Sequence, residues 1–144
     1  MSTQAQDQLP DKPRPEPSAM SQPYWNGLIE HRLMVQRCTN CGKRRHYPRP
    51  LCDACYSFDF AWDEISLDGR VHSWAVSHHA FHPGFKREVP YLSVTVDMED
   101  GIRMHAPLDA PDDIDIAIGT PVRLGFDKVD DELTLPKFVI ATQS

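Results

Sequence analysis

Apolar residues follow a helical spacing in one early segment of this chain and a strand spacing through most of the remainder. Tyr24, Trp25, Leu28 and Ile29 fall on one face of a helix that Ser21 is placed to cap, with Pro23 in its first turn and Gly27 as a weak point. Leu33 to Arg37 then alternates as a short strand. From Phe58 onward the pattern is that of β-structure. Ala61–Leu67 and Val71–Ser77 read as a hairpin turned by Asp68-Gly69, and Tyr91–Met98 alternates until Asp100-Gly101 turns it into Ile102–Ala106. Pro107–Ala117 is irregular, with at most one helical turn. Val122–Asp127 and Phe138–Ala141 are the last strands, parted by the polar turn Lys128–Glu132. About five strands in hairpin order, with a break after the third, suit a small barrel of the OB type; an open sheet fits the same pattern.

Residues 1–20 lack both aromatics and periodicity, and the alternating Pro13, Pro15 and Pro17 favour an extended chain. The expected organisation is a disordered lead over 1–20, a helix with a metal loop over 21–60, and an OB-type barrel over 61–144. The fold class is mainly β.

The loop contains Cys38-Thr-Asn-Cys41 and, ten residues on, Cys52-Asp-Ala-Cys55, which accounts for all four cysteines. A two-residue gap lets both thiolates of a pair reach one ion from a single tight turn, and two such turns close a tetrahedral shell. The spacing therefore predicts one structural zinc on Cys38, Cys41, Cys52 and Cys55. A closed shell leaves no position for water, so the ion has no catalytic role in this reading. Its role is to fold a segment of about twenty residues that buries too little apolar surface to fold alone. Gly42 supplies a left-handed residue after the first pair. No glycine follows Cys55, so the second knuckle is expected to be the less regular one. His46, between the pairs, could replace a cysteine as ligand, but with four thiolates present it reads as a surface residue.

Composition is that of an ordinary globular chain, 40% hydrophobic and 25% charged, with a formal net charge of −6. That balance counts against nucleic acid as a ligand, although single-strand binding by a ribbon and an OB barrel is the alternative reading. Within the acidic chain, Lys43, Arg44, Arg45 and Arg49 cluster beside the metal loop, with Arg37 just ahead. They are either a solvated face or a contact for an anion, such as a nucleotide's phosphates or an acidic partner surface.

His78-His79-Ala80-Phe81-His82-Pro83-Gly84-Phe85 places three histidines and two aromatics in one loop that Tyr91 closes. Its bland reading is a loop pinned by aromatic packing. The sharper one makes Phe81, His82, Phe85 and Tyr91 partner contacts. A catalytic constellation is missing from the pattern. Every thiol is committed to metal, Ser77 beside His78 has no nucleophile-elbow context, and the glycines form no phosphate loop. Turnover by this chain alone, through the histidine loop, is the rival to a binding or accessory role. No apolar run approaches the roughly 18–20 residues of a membrane helix, and the first residues lack a signal-peptide pattern. The expected location is therefore the cytoplasm.

The chain resembles the family of zinc-ribbon plus OB-fold proteins associated with acyl-CoA metabolism. The resemblance rests on Tyr24-Trp25-Asn26-Gly27-Leu28, Leu33 to Gly42, Tyr47-Pro48-Arg49-Pro50 and Cys52 to Cys55, then Gly69-Arg70-Val71-His72-Ser73-Trp74. It continues through Pro83-Gly84-Phe85, Pro90-Tyr91, Ile118 to Val122 and Leu135-Pro136-Lys137-Phe138, and so covers about 21–141. It implies a rubredoxin-like zinc ribbon followed by an OB barrel. It also implies a non-catalytic subunit that docks on a thiolase or a thiolase-like aldolase, such as the thiolase that cleaves benzoylsuccinyl-CoA. In such a hetero-oligomer the chain helps form the acyl-CoA channel, with the CoA thioester as a shared ligand. Lys43, Arg44, Arg45 and Arg49 are then candidate contacts for the CoA phosphates or for the partner.

Overall fold

The structure, a computed structural model, describes residues 15–79, 83–85, 90–110 and 114–141. One helix, α1 (Gln22–Ile29), precedes a three-stranded antiparallel sheet of β1 (Leu33–Cys38), β2 (Arg44–Arg45) and β3 (Phe60–Ile65), in the order β2-β1-β3. A second antiparallel sheet comes next, with strands β4 (Asp68–Ser77), β5 (Tyr91–Asp97), β6 (Arg103–Pro107), β7 (Pro121–Lys128) and β8 (Thr134–Ile140) in the order β6-β5-β4-β7-β8.

The second sheet curls until β6 nearly meets β8. A single parallel bridge, Leu108 to Phe138, spans the seam, and the Asp109 N–H donates to the Phe138 carbonyl at 2.8 Å. The result is the nearly closed five-stranded OB-like barrel that the strand pattern predicts. Alternation sets its core. Leu92, Val94 and Val96 of β5 point inward, with Met104 and Ala106 of β6, Val122 and Leu124 of β7, and Phe138 of β8.

Helix α1 lies across both sheets and buries Tyr24, Gly27 and Leu28. A Cβ on Gly27 would stand 2.6 Å from Met34 Cγ, so the residue that weakens the helix is what lets it approach β1. Ser21 does precede the helix, but its hydroxyl accepts from the Ser18 N–H at 2.9 Å and makes no cap. The expected disorder of residues 1–20 falls, for 1–14, outside the described residues.

The expected first hairpin is not found. Ala61–Leu67 and Val71–Ser77 do not form a hairpin, because β3 pairs along its length with β1, from Leu33 opposite Ile65 to Cys38 opposite Phe60. The chain passes between the sheets at Ser66 and Leu67, and Asp68-Gly69 sits inside β4, paired with Arg123 and Val122 of β7. Gly69 is there for space. A Cβ would stand 2.4 Å from Val96 Cγ1 and 2.6 Å from Met98 Sδ. Gly69→Ala is therefore expected to cost about 1–3 kcal/mol through overpacking. A urea titration should show a lower midpoint at unchanged slope.

Candidate metal centre and the adjoining cleft

The cysteine pairs sit at two matching turns. The Gly42 N–H donates to the Cys38 carbonyl at 2.8 Å, and the Tyr56 N–H donates to the Cys52 carbonyl at 2.9 Å. The Cys38 N–H returns to the Lys43 carbonyl and the Cys52 N–H to the Ser57 carbonyl, both at 2.9 Å. Gly42 is left-handed at φ +81°, as expected, and Tyr56 matches it at φ +63°. The second knuckle is thus as regular as the first. It carries a side chain in a conformation that disfavours one by roughly 1 kcal/mol or more.

These turns bring the four sulfurs within 4.8 Å of one another, with Cys38 Sγ 3.5 Å from Cys55 Sγ and Cys41 Sγ 3.7 Å from Cys52 Sγ. A tetrahedral ion with metal–sulfur bonds of about 2.3 Å needs sulfurs about 3.8 Å apart, so the four cysteines are positioned to bind one metal. The amide N–H of Cys41 lowers the Cys38 thiol to about 6, and that of Cys55 lowers Cys52. Cys41 is pulled down by the Lys43 amide but up by burial and by its sulfur neighbours, and ends at about 11.

Beside the metal centre lies a cleft of about 460 Å³ between the ribbon and the barrel. Lys43, Arg44, Arg45 and Arg49 line one wall, and Arg103 with Asp97 lines the other. The basic residues are not equivalent. Lys43 pairs with Asp53 at 2.8 Å, and Arg44 reaches Asp63 at 3.1 Å and Glu99 at 3.2 Å. Arg103 pairs with Asp97 at 2.8 Å, and Arg37, on the ribbon, with Asp63 at 2.9 Å. Arg49 forms no side-chain hydrogen bond or salt bridge among the described residues.

Arg45 is interior, only 5% exposed. Its Nε donates to Gln36 Oε1 at 2.7 Å and its second terminal nitrogen to the Arg49 carbonyl at 2.8 Å, while the guanidinium lies 5.4 Å from the Phe60 ring centre. His46 is not the surface residue expected. Its ring packs 4.0 Å from Tyr47 and 5.1 Å from Tyr24, and both ring nitrogens are buried without a partner. Burial, helped by Arg49, pulls its pKa down to about 4 and leaves it uncharged.

The aromatic loop is placed only in part. Phe81 and His82 lie outside the described residues, Pro83–Phe85 is a short 3-10 turn, and Tyr91 opens β5 half-buried. Sequence reasoning missed Arg103, Asp97 and Glu99, which reach the ribbon side from the β5–β6 hairpin and carry no local signal. No helix of the described residues is long and apolar enough to cross a membrane.

The rubredoxin-like zinc ribbon domain of ChsH2 matches residues 25–61, and the C-terminal OB-fold domain of ChsH2 matches residues 62–127. A probable enoyl-CoA hydratase alpha subunit of Thermomonospora curvata is 39% identical over 140 residues, covering 94% of this chain and 43% of that protein. The 3-oxo-4,17-pregnadiene-20-carboxyl-CoA hydratase alpha subunit of Mycobacterium tuberculosis is 36% identical over 116 residues, covering 75% of this chain and 36% of that protein. This chain thus spans about two fifths of the length of these two relatives. A chain of the solved Ltp2-ChsH2(DUF35) aldolase superposes with a TM-score of 0.79 at 37% identity, covering 90% of this chain and 100% of that one.

Proposed function

This chain belongs to the ChsH2 (DUF35) family, which joins a rubredoxin-like zinc ribbon to an OB-fold, and from that membership we propose that it is a zinc-containing accessory subunit of a complex acting on acyl-CoA thioesters. The catalytic subunit is a thiolase or a thiolase-like aldolase, and this chain supports assembly and helps shape the acyl-CoA channel. The observation that carries the reading is the match to the whole of a chain in the Ltp2-ChsH2(DUF35) aldolase. In this reading the ion is zinc, because a closed set of four thiolates suits it, and its work is structural. The Phe81, His82, Phe85 and Tyr91 segment faces the catalytic subunit.

The test is recovery of the chain, tagged at native expression level. It should bring down one thiolase-like subunit in fixed ratio, and the pair should cleave or condense a CoA thioester. Turnover of any acyl-CoA by the purified chain alone would overturn the reading, as would a chain recovered alone.

Within that complex the cleft is the contact for the CoA phosphates, with Lys43, Arg44 and Arg49 at one wall, Arg45 beneath them and Arg103 opposite. Charge-assisted bonds to phosphate are about twice as strong as neutral ones, and Arg49 has no competing carboxylate bonded to it. Arg49→Glu combined with Arg103→Glu should raise KM for the acyl-CoA about tenfold or more at little change in kcat, measured by steady-state kinetics of the complex. Unchanged kinetics and unchanged assembly would return these residues to a solvated face.

A further inference from the structure

The second knuckle carries tyrosine where the first carries glycine. Gly42 and Tyr56 make the same hydrogen bond to the first cysteine of their pair and share a left-handed backbone. Glycine is the residue the turn by itself favours there. The tyrosine ring offers the isolated chain nothing in return. It is 71% exposed and makes no hydrogen bond or ring contact among the described residues. Two residues on, Phe58 is 72% exposed. The backbone around them is held firmly: the Ser57 carbonyl accepts from the Cys52 N–H at 2.9 Å, the Ser57 hydroxyl accepts from the Asp59 N–H at 3.1 Å, and the Asp59 carbonyl accepts from the Thr39 N–H at 3.1 Å. Two large aromatics are therefore presented to solvent on a backbone that the metal turns fix, one of them against local preference.

Strain retained at an exposed side chain points to a use outside the chain. We propose that Tyr56 and Phe58 anchor the metal ribbon to the catalytic subunit of its complex, entering an apolar socket with a basic rim. The inference rests on the reading above that such a subunit exists. The rim is inferred from charge. Asp59 flanks the aromatics and its carboxylate forms no salt bridge among the described residues, whereas Asp53, on the other side, is held by Lys43. Two copies of this chain meeting about this knuckle would set Asp59 against Asp59, so a second copy is the poorer occupant. Buried aromatic anchors of this kind commonly dominate an interface, and rigid presentation lowers the cost of ordering them.

The native chain, Tyr56→Gly and Phe58→Ser are titrated against the catalytic subunit recovered with the native chain, after metal content and thermal midpoint have been measured for each. Tyr56→Gly should keep its metal ion and melt no lower than the native chain, while its Kd for the catalytic subunit rises tenfold or more. Phe58→Ser should weaken binding in the same direction. A Tyr56→Gly chain that loses metal or melts lower would make the ring structural and overturn the proposal. So would an unchanged Kd, or a native chain that self-associates through Tyr56. If no catalytic subunit is recovered, the functional reading falls and takes this one with it; an unchanged Kd in a real complex removes this one alone.

Discussion

Cys52→Ser is expected to unfold the ribbon and leave the barrel standing. Cys52 is fully buried, contributes one of the four sulfurs and anchors the second knuckle through hydrogen bonds with Ser57 and Tyr56. A serine hydroxyl is a poor ligand for an ion chosen by thiolates, so the shell opens. Structural zinc in ribbons of this size contributes about 10–16 kcal/mol of apparent free energy at neutral pH, far more than the apolar contacts around the loop supply. The barrel strands supply Val71, Leu92, Val94, Val96, Met104, Val122, Leu124 and Phe138 to the core, which outnumber the Leu33, Val35 and Ile65 that the ribbon sheet adds to the same cluster. The expected result is loss of the bound ion, proteolysis within residues 38–60, and a far-UV spectrum that keeps its β signal. Full metal content with an undiminished thermal midpoint would contradict it.

The second large effect is expected at Arg45, and it is on stability, not on substrate. Gln36 Oε1 accepts both from Arg45 Nε and from the Arg49 N–H, each at 2.7 Å. The Arg45 guanidinium returns to the Arg49 carbonyl, so the pair pins the segment between the knuckles to β1. Arg45→Ala leaves a buried glutamine oxygen short of one donor, frees the Arg49 carbonyl from its bond to this side chain, and removes the stem packed by Phe60. Losses of this kind total about 2–4 kcal/mol. Differential scanning calorimetry should show the fall, while an assembled complex of the variant at low temperature keeps its KM. A variant as stable as the native chain but with a raised KM would instead make Arg45 a ligand contact.

The contrast between Arg45 and Arg49 marks where the sequence stops being readable. Cysteine spacing fixes the metal site because each pair acts within one turn. The alternation in Tyr91–Asp97 is legible because one face of that strand is buried. The basic residues look alike along the chain, yet the fate of Arg44 depends on acids brought from elsewhere: Asp63 from β3 and Glu99 from the β5–β6 hairpin. Asp68-Gly69 is a turn by every local rule and a strand in fact. Asp68 salt-bridges Arg123 at 2.8 Å, and Gly69 clears Val96 and Met98, contacts no short window contains. His46 reads as a surface residue because four thiolates leave it no ligand role, but α1 brings Tyr24 over it.

The pairing of β3 with β1 also bears on how such a chain can be inherited. The boundary between the two matched domains falls between residues 61 and 62, inside β3. Trp62 to Ile65 lie on the barrel's side of that boundary, yet they complete the ribbon sheet opposite Leu33 to Gln36. A gene break at this point would hand the ribbon an unpaired edge along most of β1, and hand the barrel a loose half-strand carrying Trp62 and Ile65 with nothing to cover them. The place where the domains look separable is therefore one where a break costs both products their shared strand. The barrel-side half of that strand has its partner on the other side of the boundary.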